Sequence, residues 1–234
     1  MNKLAIVTGS AKGIGKELII ELSKNNYDVV ITYNTSKDKA YELKNYIVDN
    51  YKVNALVIKC DITKEEDIIN LKNTILKRYN HIDILVNNAA YAQDNYIDEK
   101  TKEEFMKVLE VNVVGTFLVT KYLYKYMDNG VIVNISSTDS IDTYSEISMD
   151  YSASKAAINN LTKTFSMAFS NVKVIGVMPN WTNTESIKEM NPDYLESELK
   201  RIGQDQLENP KDVAKNIIDL INDKKIKTGD IRRV

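Results

Sequence analysis

The chain has 234 residues, 43% hydrophobic and 27% charged, and 31 Lys and Arg against 33 Asp and Glu give a formal charge of −2. That length buries a substantial core as one domain, and the charge balance excludes a chain-wide basic footprint for nucleic acid. A single cysteine, Cys60, excludes an intrachain disulfide and fits a reducing compartment, and a single histidine, His81, excludes a His-based metal cluster, so no metal is expected.

The first apolar run, 3–7, passes straight into a glycine turn, so no secretory leader is expected. No run approaches the ~18 apolar residues of a membrane helix, so no membrane contact and a cytoplasmic location are expected. Further apolar, β-branched runs at 28–32, 53–59, 83–87, 130–135 and 172–178 are candidate strands. Cys60 at the end of the third reads as a small buried hydrophobe, and His81 as a turn residue before the fourth. Between them, Ile68, Leu71, Ile75 and Leu76 mark one helical face, as do Val213, Ala214, Ile217, Ile218 and Ile221 after Pro210, a residue suited to a helix start. Strands alternating with helices of this length predict βαβ units in a parallel α/β sheet covered on both faces. The segment 179–209 breaks the alternation beyond a strand end, where open α/β sheets bind ligands, and is the expected substrate lid. With 8 glycines, the chain is expected to use Asn and Asp at left-handed turn positions.

After the first strand comes Thr8-Gly9-Ser10-Ala11-Lys12-Gly13-Ile14-Gly15. Glycines between a strand and a helix let backbone approach a pyrophosphate, whose charge then sits at the helix N-terminus. An NAD site would carry a carboxylate after the second strand for the ribose 2′-hydroxyl. Here that place reads Tyr33-Asn34-Thr35-Ser36-Lys37, with no carboxylate before Asp38. Asn, Thr and Ser can donate hydrogen bonds to a 2′-phosphate, and Lys12 adds a positive charge. NADP(H) is therefore expected over NAD(H).

Tyr151-Ser152-Ala153-Ser154-Lys155 opens a predicted helix running to about residue 169, with Tyr151 and Lys155 on one face. A free phenol titrates near 10. A lysine charge about 4 Å away, at an effective dielectric of about 20, favours phenolate by about 4 kcal/mol. That is roughly three pKa units before desolvation takes some back. Such a tyrosine exchanges protons with a carbonyl or an alcohol. The spacing alone is common: Tyr122 and Tyr126 have it too.

These motifs, in order along nearly the whole chain, resemble the short-chain dehydrogenase/reductase family. The likeness rests on Thr8-Gly9-x-x-x-Gly13-Ile14-Gly15, Asp61, Asn87-Asn88-Ala89-Ala90, Asn112, Ile135-Ser136-Ser137 and Tyr151-x-x-x-Lys155. It implies a Rossmann-type doubly wound parallel sheet of about seven strands with helices on both faces, as one catalytic domain over 1–234. It further implies Tyr151 as acid/base, Lys155 lowering its pKa and holding the nicotinamide ribose, Ser137 bonding the substrate oxygen, and Asn112 holding a water that links Lys155 to solvent. By the same resemblance Gly9, Ser10, Lys12, Gly13, Ile14 and Gly15 form the cofactor loop, Asp61 and Ile62 meet the adenine, Asn88, Ala89 and Ala90 line the cofactor floor, and Pro179 and Thr184 stand near the carboxamide.

The chain departs from the family in three places. Ser137 stands one residue further from Tyr151 than the family spacing, which leaves Thr138 as the second choice. Asn180 replaces a glycine after Pro179, where it could adopt the left-handed conformation, and Trp181 follows at the mouth of the expected site, to meet a substrate or cap the lid. Lys227–Val234 resembles the family's last strand without the tail that many relatives carry there.

The resemblance implies NADP(H)-dependent reduction of a small-molecule carbonyl to an alcohol, with 3-oxoacyl-acyl-carrier-protein reduction as one candidate and a sugar-ketone or general carbonyl reductase as another. An acidic carrier protein would need basic residues near the site, for which Lys121, Lys125 and Lys163 are candidates. A non-catalytic nucleotide sensor on the same fold is the reading from another class. Ala153, Ala156, Ala157, Leu161 and Phe165 exceed one core-facing stripe, which suits a homo-tetramer or homo-dimer; a helix buried between sheet and lid is the alternative.

Overall fold

Seven parallel strands in the order β3-β2-β1-β4-β5-β6-β7 form the sheet in a computed structural model that describes residues 2–188 and 190–234. They are β1 (Leu4–Val7), β2 (Asp28–Tyr33), β3 (Ala55–Lys59), β4 (Ile84–Asn87), β5 (Val131–Ile135), β6 (Lys173–Met178) and β7 (Ile231–Arg233). The six expected runs differ from the observed strands by two residues or fewer at any end, and the short C-terminal strand pairs with β6 through Val177 and Arg232.

Helices cover both faces because successive strand side chains point to opposite sides. On β1, Ala5 and Val7 face a core built with α1 (Gly13–Lys24), α2 (Lys37–Asn50) and α9 (Pro210–Asn222). Leu4 and Ile6 face a second core containing Ile68, Leu71 and Ile75 of α3 (Glu65–Leu76), Val119 and Leu123 of α5 (Thr116–Leu123), and Phe165 of α6 (Met149–Ala168). Continuous apolar strands follow from this two-sided burial. The strand order reverses between β1 and β4, and a crevice opens at such a reversal beyond the C-terminal strand ends.

Local chemistry sets the helix ends. Thr101 and Glu104 form a reciprocal capping box at the start of α4 (Lys102–Leu109). Asn209 caps α9 with Pro210 at its first position. Between α4 and α5 the backbone widens into a π-helical turn, Glu110–Gly115, which contains Asn112. The segment 179–209 holds two further helices, α7 (Glu185–Lys188) and α8 (Pro192–Ile202), and is tied across its base by a bridge between Thr182 and Glu208.

Among the described non-glycine residues, only Asn26 and Asn129 take positive φ, at 62° and 58°. The expectation of asparagine at left-handed turns holds there and fails at Asn180. Asn180 instead donates from Nδ2 to Glu208 Oε1 at 3.2 Å, so a side-chain tie stands where glycine's conformational freedom was expected.

Candidate active site

Thr8 leaves β1 as the hub of the first loop. Its Oγ1 accepts from the backbone N–H groups of Asn88 (2.9 Å) and Ala89 (3.0 Å), and Asn88 Nδ2 donates back to Thr8 O at 2.9 Å. The loop after β1 is thus clasped to the loop after β4. Gly9 has φ +61°, and a Cβ there would lie 2.9 Å from Ala89 Cα. A Cβ on Gly15 would lie 2.5 Å from Asn88 Nδ2 and 2.9 Å from Ser10 Cα. Glycine is therefore required at both positions. Helix α1 begins after Lys12 with no acidic residue in its first turn and no side chain capping it, so its first N–H groups are available to an anion.

A cavity of about 710 Å³ runs from this loop across the crevice. One end is lined by Gly9, Lys12, Gly13 and Ile14 and by Tyr33, Asn34, Thr35 and Ser36. Asp61, Ile62, Asn88, Ala89 and Ala90 line its middle, and Ser137, Tyr151, Lys155 and Pro179 its far end, while Thr184 also lines it but packs against Gly13 of the loop. Two expected loop residues stand behind the wall instead. Ser10 is fully buried; its backbone N–H donates to Thr32 O and its Oγ accepts from Thr32 N–H. This ties the loop to β2, because the positive φ at Gly9 turns the Ser10 side chain away from the cavity. Gly15 sits beneath Asn88.

Asn112 also lies outside the cavity lining. Its Oδ1 accepts from Tyr91 N–H at 2.8 Å, and its Nδ2 donates to Tyr91 O and Ser154 Oγ, both at 2.9 Å. With these three bonds it locks the 91 loop and α6 to the π-helical turn, a widening that often marks a functional site.

The two hydroxyls after β5 point apart. Ser137 lines the cavity, whereas Thr138 is fully buried, with its Oγ1 2.9 Å from Thr143 Oγ1 and 3.5 Å from Pro179 O. Of the two, only Ser137 faces Tyr151 across open space. Trp181 is 9% exposed, lines the cavity and donates from Nε1 to Asp139 Oδ1 at 3.4 Å.

Helix α6 buries Ser154, Lys155, Ile158, Thr162 and Phe165 along one stripe and leaves Ala153 and Ala156 exposed. Its first turn is held by a buried ion pair. Lys100 Nζ lies 3.0 Å from Asp150 Oδ2, with side-chain exposures of 4% and 0%. The same ammonium donates to Gln93 O, and Asp150 Oδ1 accepts from the Tyr151 N–H.

The family model described as short chain dehydrogenase matches residues 3–195. The chain belongs to the short-chain dehydrogenase/reductase family. It is 31% identical over 220 residues to glucose 1-dehydrogenase 2 of Bacillus subtilis, covering 91% of this chain and 84% of that one. It is 28% identical over 234 residues to a 3-oxoacyl-acyl-carrier-protein reductase of Staphylococcus epidermidis, covering 96% and 93%. A crystal structure of a dehydrogenase/reductase from Sinorhizobium meliloti superposes with a TM-score of 0.92 at 27% identity, covering 99% of this chain and 93% of that one. A short chain dehydrogenase from Burkholderia cenocepacia, in complex with NADP, superposes at 0.90 and 25% identity, covering 99% and 96%. Membership makes the chain an NAD(P)-dependent oxidoreductase.

In this member the electrostatics differ from those expected of Tyr151 and Lys155. Lys155 Nζ lies 5.3 Å from the centre of the Tyr151 ring and donates to Ile135 O at 2.8 Å. Burial pushes the Tyr151 phenol above its ordinary value, and the nearby carboxylates of Asp139 and Asp94 push it further. The expected lysine-driven lowering is therefore not what this arrangement produces. Burial lowers the Lys155 ammonium to about 8, with Asp139 opposing the change. The two carboxylates that set this balance, Asp94 and Asp139, also line the cavity. Sequence reasoning passed over both, although Asp139 stands two residues beyond Ser137. Cys60 was expected as a small buried hydrophobe; it is buried, and it also borders the cavity, with its thiol pushed up to about 12 by burial.

Proposed function

We propose that the chain is an NADP(H)-dependent carbonyl reductase in which Tyr151 protonates the substrate oxygen. One observation carries the reading: Ser137, Tyr151 and Lys155 gather at one end of a cavity whose other end is the glycine loop with Tyr33–Ser36. The cradle suits a dinucleotide, because Gly9 and Gly13 adopt positive φ and the uncapped, acid-free start of α1 faces the same space. Lys12, Asn34, Thr35 and Ser36 line the end where a 2′-phosphate would sit, while Asp38 is exposed and outside the lining. When bound, a reduced nicotinamide supplies the hydride. Ser137 holds the substrate oxygen, and Tyr151, kept protonated by burial, gives its proton to it. The resulting phenolate forms beside Asp139 and Asp94, where the Lys155 charge offsets the repulsion.

Two outcomes follow. KM for NADPH should lie well below that for NADH, and Asn34→Asp should narrow or reverse the gap; a wild-type preference for NADH would refute the cofactor assignment. Because Lys155 loses its proton through about pH 8, carbonyl reduction should be constant near neutral pH and fall through that value. Tyr151 titrates far above it, so the decline reports the lysine. A rate that rises through the same range would contradict this assignment.

The Staphylococcus relative raises a carrier-protein substrate. However, Lys121, Lys125 and Lys163 do not line the cavity, and Lys121 pairs with Glu65 at 3.1 Å. A small carbonyl compound suits the site better. In this reading the segment 179–209 is the substrate lid, with Trp181, Ile187 and Met190 reaching the cavity. Exposed Met106, Val114 and Phe117, with Ala153 and Ala156 of the adjoining α6, support a homo-oligomer. Light scattering at the monomer mass would exclude it.

A further inference from the structure

We propose that Asp139 makes this site selective for carbonyl substrates bearing a hydrogen-bond donor, a hydroxyl or an ammonium, on the carbon beside the reacting carbonyl. The proposal rests on the reading of Tyr151 as proton donor and Ser137 as holder of the substrate oxygen.

Ser137, two residues beyond β5, caps a single 3₁₀ turn, Thr138–Ser140. Its Oγ accepts from the Asp139 backbone N–H at 3.1 Å, which fixes Asp139 directly beyond the substrate-oxygen position. The Asp139 residue is only 6% exposed, and it lines the cavity with Ser137 and Tyr151. Its two carboxylate oxygens have different surroundings. Oδ1 accepts from Thr143 Oγ1 at 2.6 Å and from Trp181 Nε1 at 3.4 Å. The Ser137 side chain also bears on this carboxylate. Oδ2 is not one of the enclosed, unpartnered side-chain atoms, so it keeps access to the cavity, and it loses the Ser137 hydroxyl when that group turns to the substrate oxygen.

Burial raises the Asp139 carboxyl while the bonds from Thr143, Trp181 and Ser137 favour its ionised form. In that form each oxygen is an acceptor only, and leaving one unpaired is costly. Water can serve it while the cavity is open. Once a substrate displaces that water, the substrate must bring its own donor. The rest of this end reinforces the requirement. Asp94 adds a second carboxylate, and the Lys155 ammonium is engaged by Ile135 O. An anionic group beside the carbonyl would meet two carboxylates. An alkyl group would leave Oδ2 dry and unpaired. A hydroxyl or ammonium satisfies it while Ser137 and Tyr151 hold the neighbouring oxygen.

The test compares near-isosteric ketones that differ in one group: hydroxyacetone and aminoacetone against butanone, with pyruvate as the anionic member. In the wild type, kcat/KM for the two donor-bearing ketones should exceed that for butanone by about 10-fold or more, with pyruvate poorest. Asp139→Asn retains an oxygen for Thr143 and Trp181 and turns an amide donor toward the cavity, so the ratio should collapse to about one or invert. Hydroxyl and ammonium are told apart by salt, which should weaken the preference for aminoacetone alone. A ratio near one in the wild type, or one unchanged in Asp139→Asn, overturns the proposal and leaves the reductase assignment standing. Absence of turnover with every ketone would refute the reductase assignment instead. The proposal is then decided by binding, since Trp181 is the only tryptophan and reports contact at Asp139 through its fluorescence. Quenching by hydroxyacetone or aminoacetone but not butanone, lost in Asp139→Asn, supports it; equal response to all three overturns it.

Discussion

Tyr151→Phe should lower kcat for NADPH-dependent carbonyl reduction by about 10²- to 10⁴-fold while NADPH affinity stays near its wild-type value. In the proposed reaction the phenol protonates the substrate oxygen. It lines the cavity with Ser137 and Lys155, and burial with two neighbouring carboxylates keeps it protonated. Phenylalanine preserves the ring and removes only the proton donor. Single-turnover kinetics with a fluorescence titration of NADPH separate chemistry from binding. Near-normal turnover would move the proton donor elsewhere. Asp139, whose carboxyl is raised by burial, would be the first group to test.

Lys100→Met should destabilise the protein by about 3–5 kcal/mol, because it strands Asp150 in the interior without a counter-charge. Both side chains are almost fully enclosed, at 4% and 0% exposure, so solvent cannot replace the lost partner. The pair also joins the chain near Gln93 to the first turn of α6, where Asp150 accepts the Tyr151 N–H. Loosening should therefore reach α6, which carries Tyr151 and Lys155. Adding Asp150→Asn should recover much of the loss, since the stranded charge is what costs most. Urea unfolding of the wild type and the three variants gives the coupling directly. A loss below about 1 kcal/mol for Lys100→Met would mean that Asp150 finds water or another donor.

Local pattern carried the sheet and one end of the site. β-branched runs locate six strands, and glycines between a strand and a helix locate the loop whose positive φ values at Gly9 and Gly13 require them. Contacts between distant residues were not legible. Ser10 looks like its neighbours in the loop, yet it bonds Thr32, 22 positions away. Asn180 reaches Glu208 across 28 positions, and Lys100 reaches Asp150 across 50. Asn112 stands out in the sequence as a polar side chain in an apolar run, but its partner Tyr91 comes from another segment. The same limit explains Tyr151. Four-residue spacing places it on one face with Lys155, whereas its acidity is set by burial and by carboxylates from two separate loops. Spacing along one helix contains none of those influences.

The most direct measurement is NADPH consumption by the purified protein across acetoacetyl thioesters, sugar and hydroxylated ketones, quinones and simple aldehydes. A carbonyl reductase with this site should consume NADPH saturably with at least one member of the ketone class, and should lose that activity in Tyr151→Phe. A protein that binds NADPH but turns over nothing in the panel would be a nucleotide sensor on a reductase fold, which contradicts the proposed function.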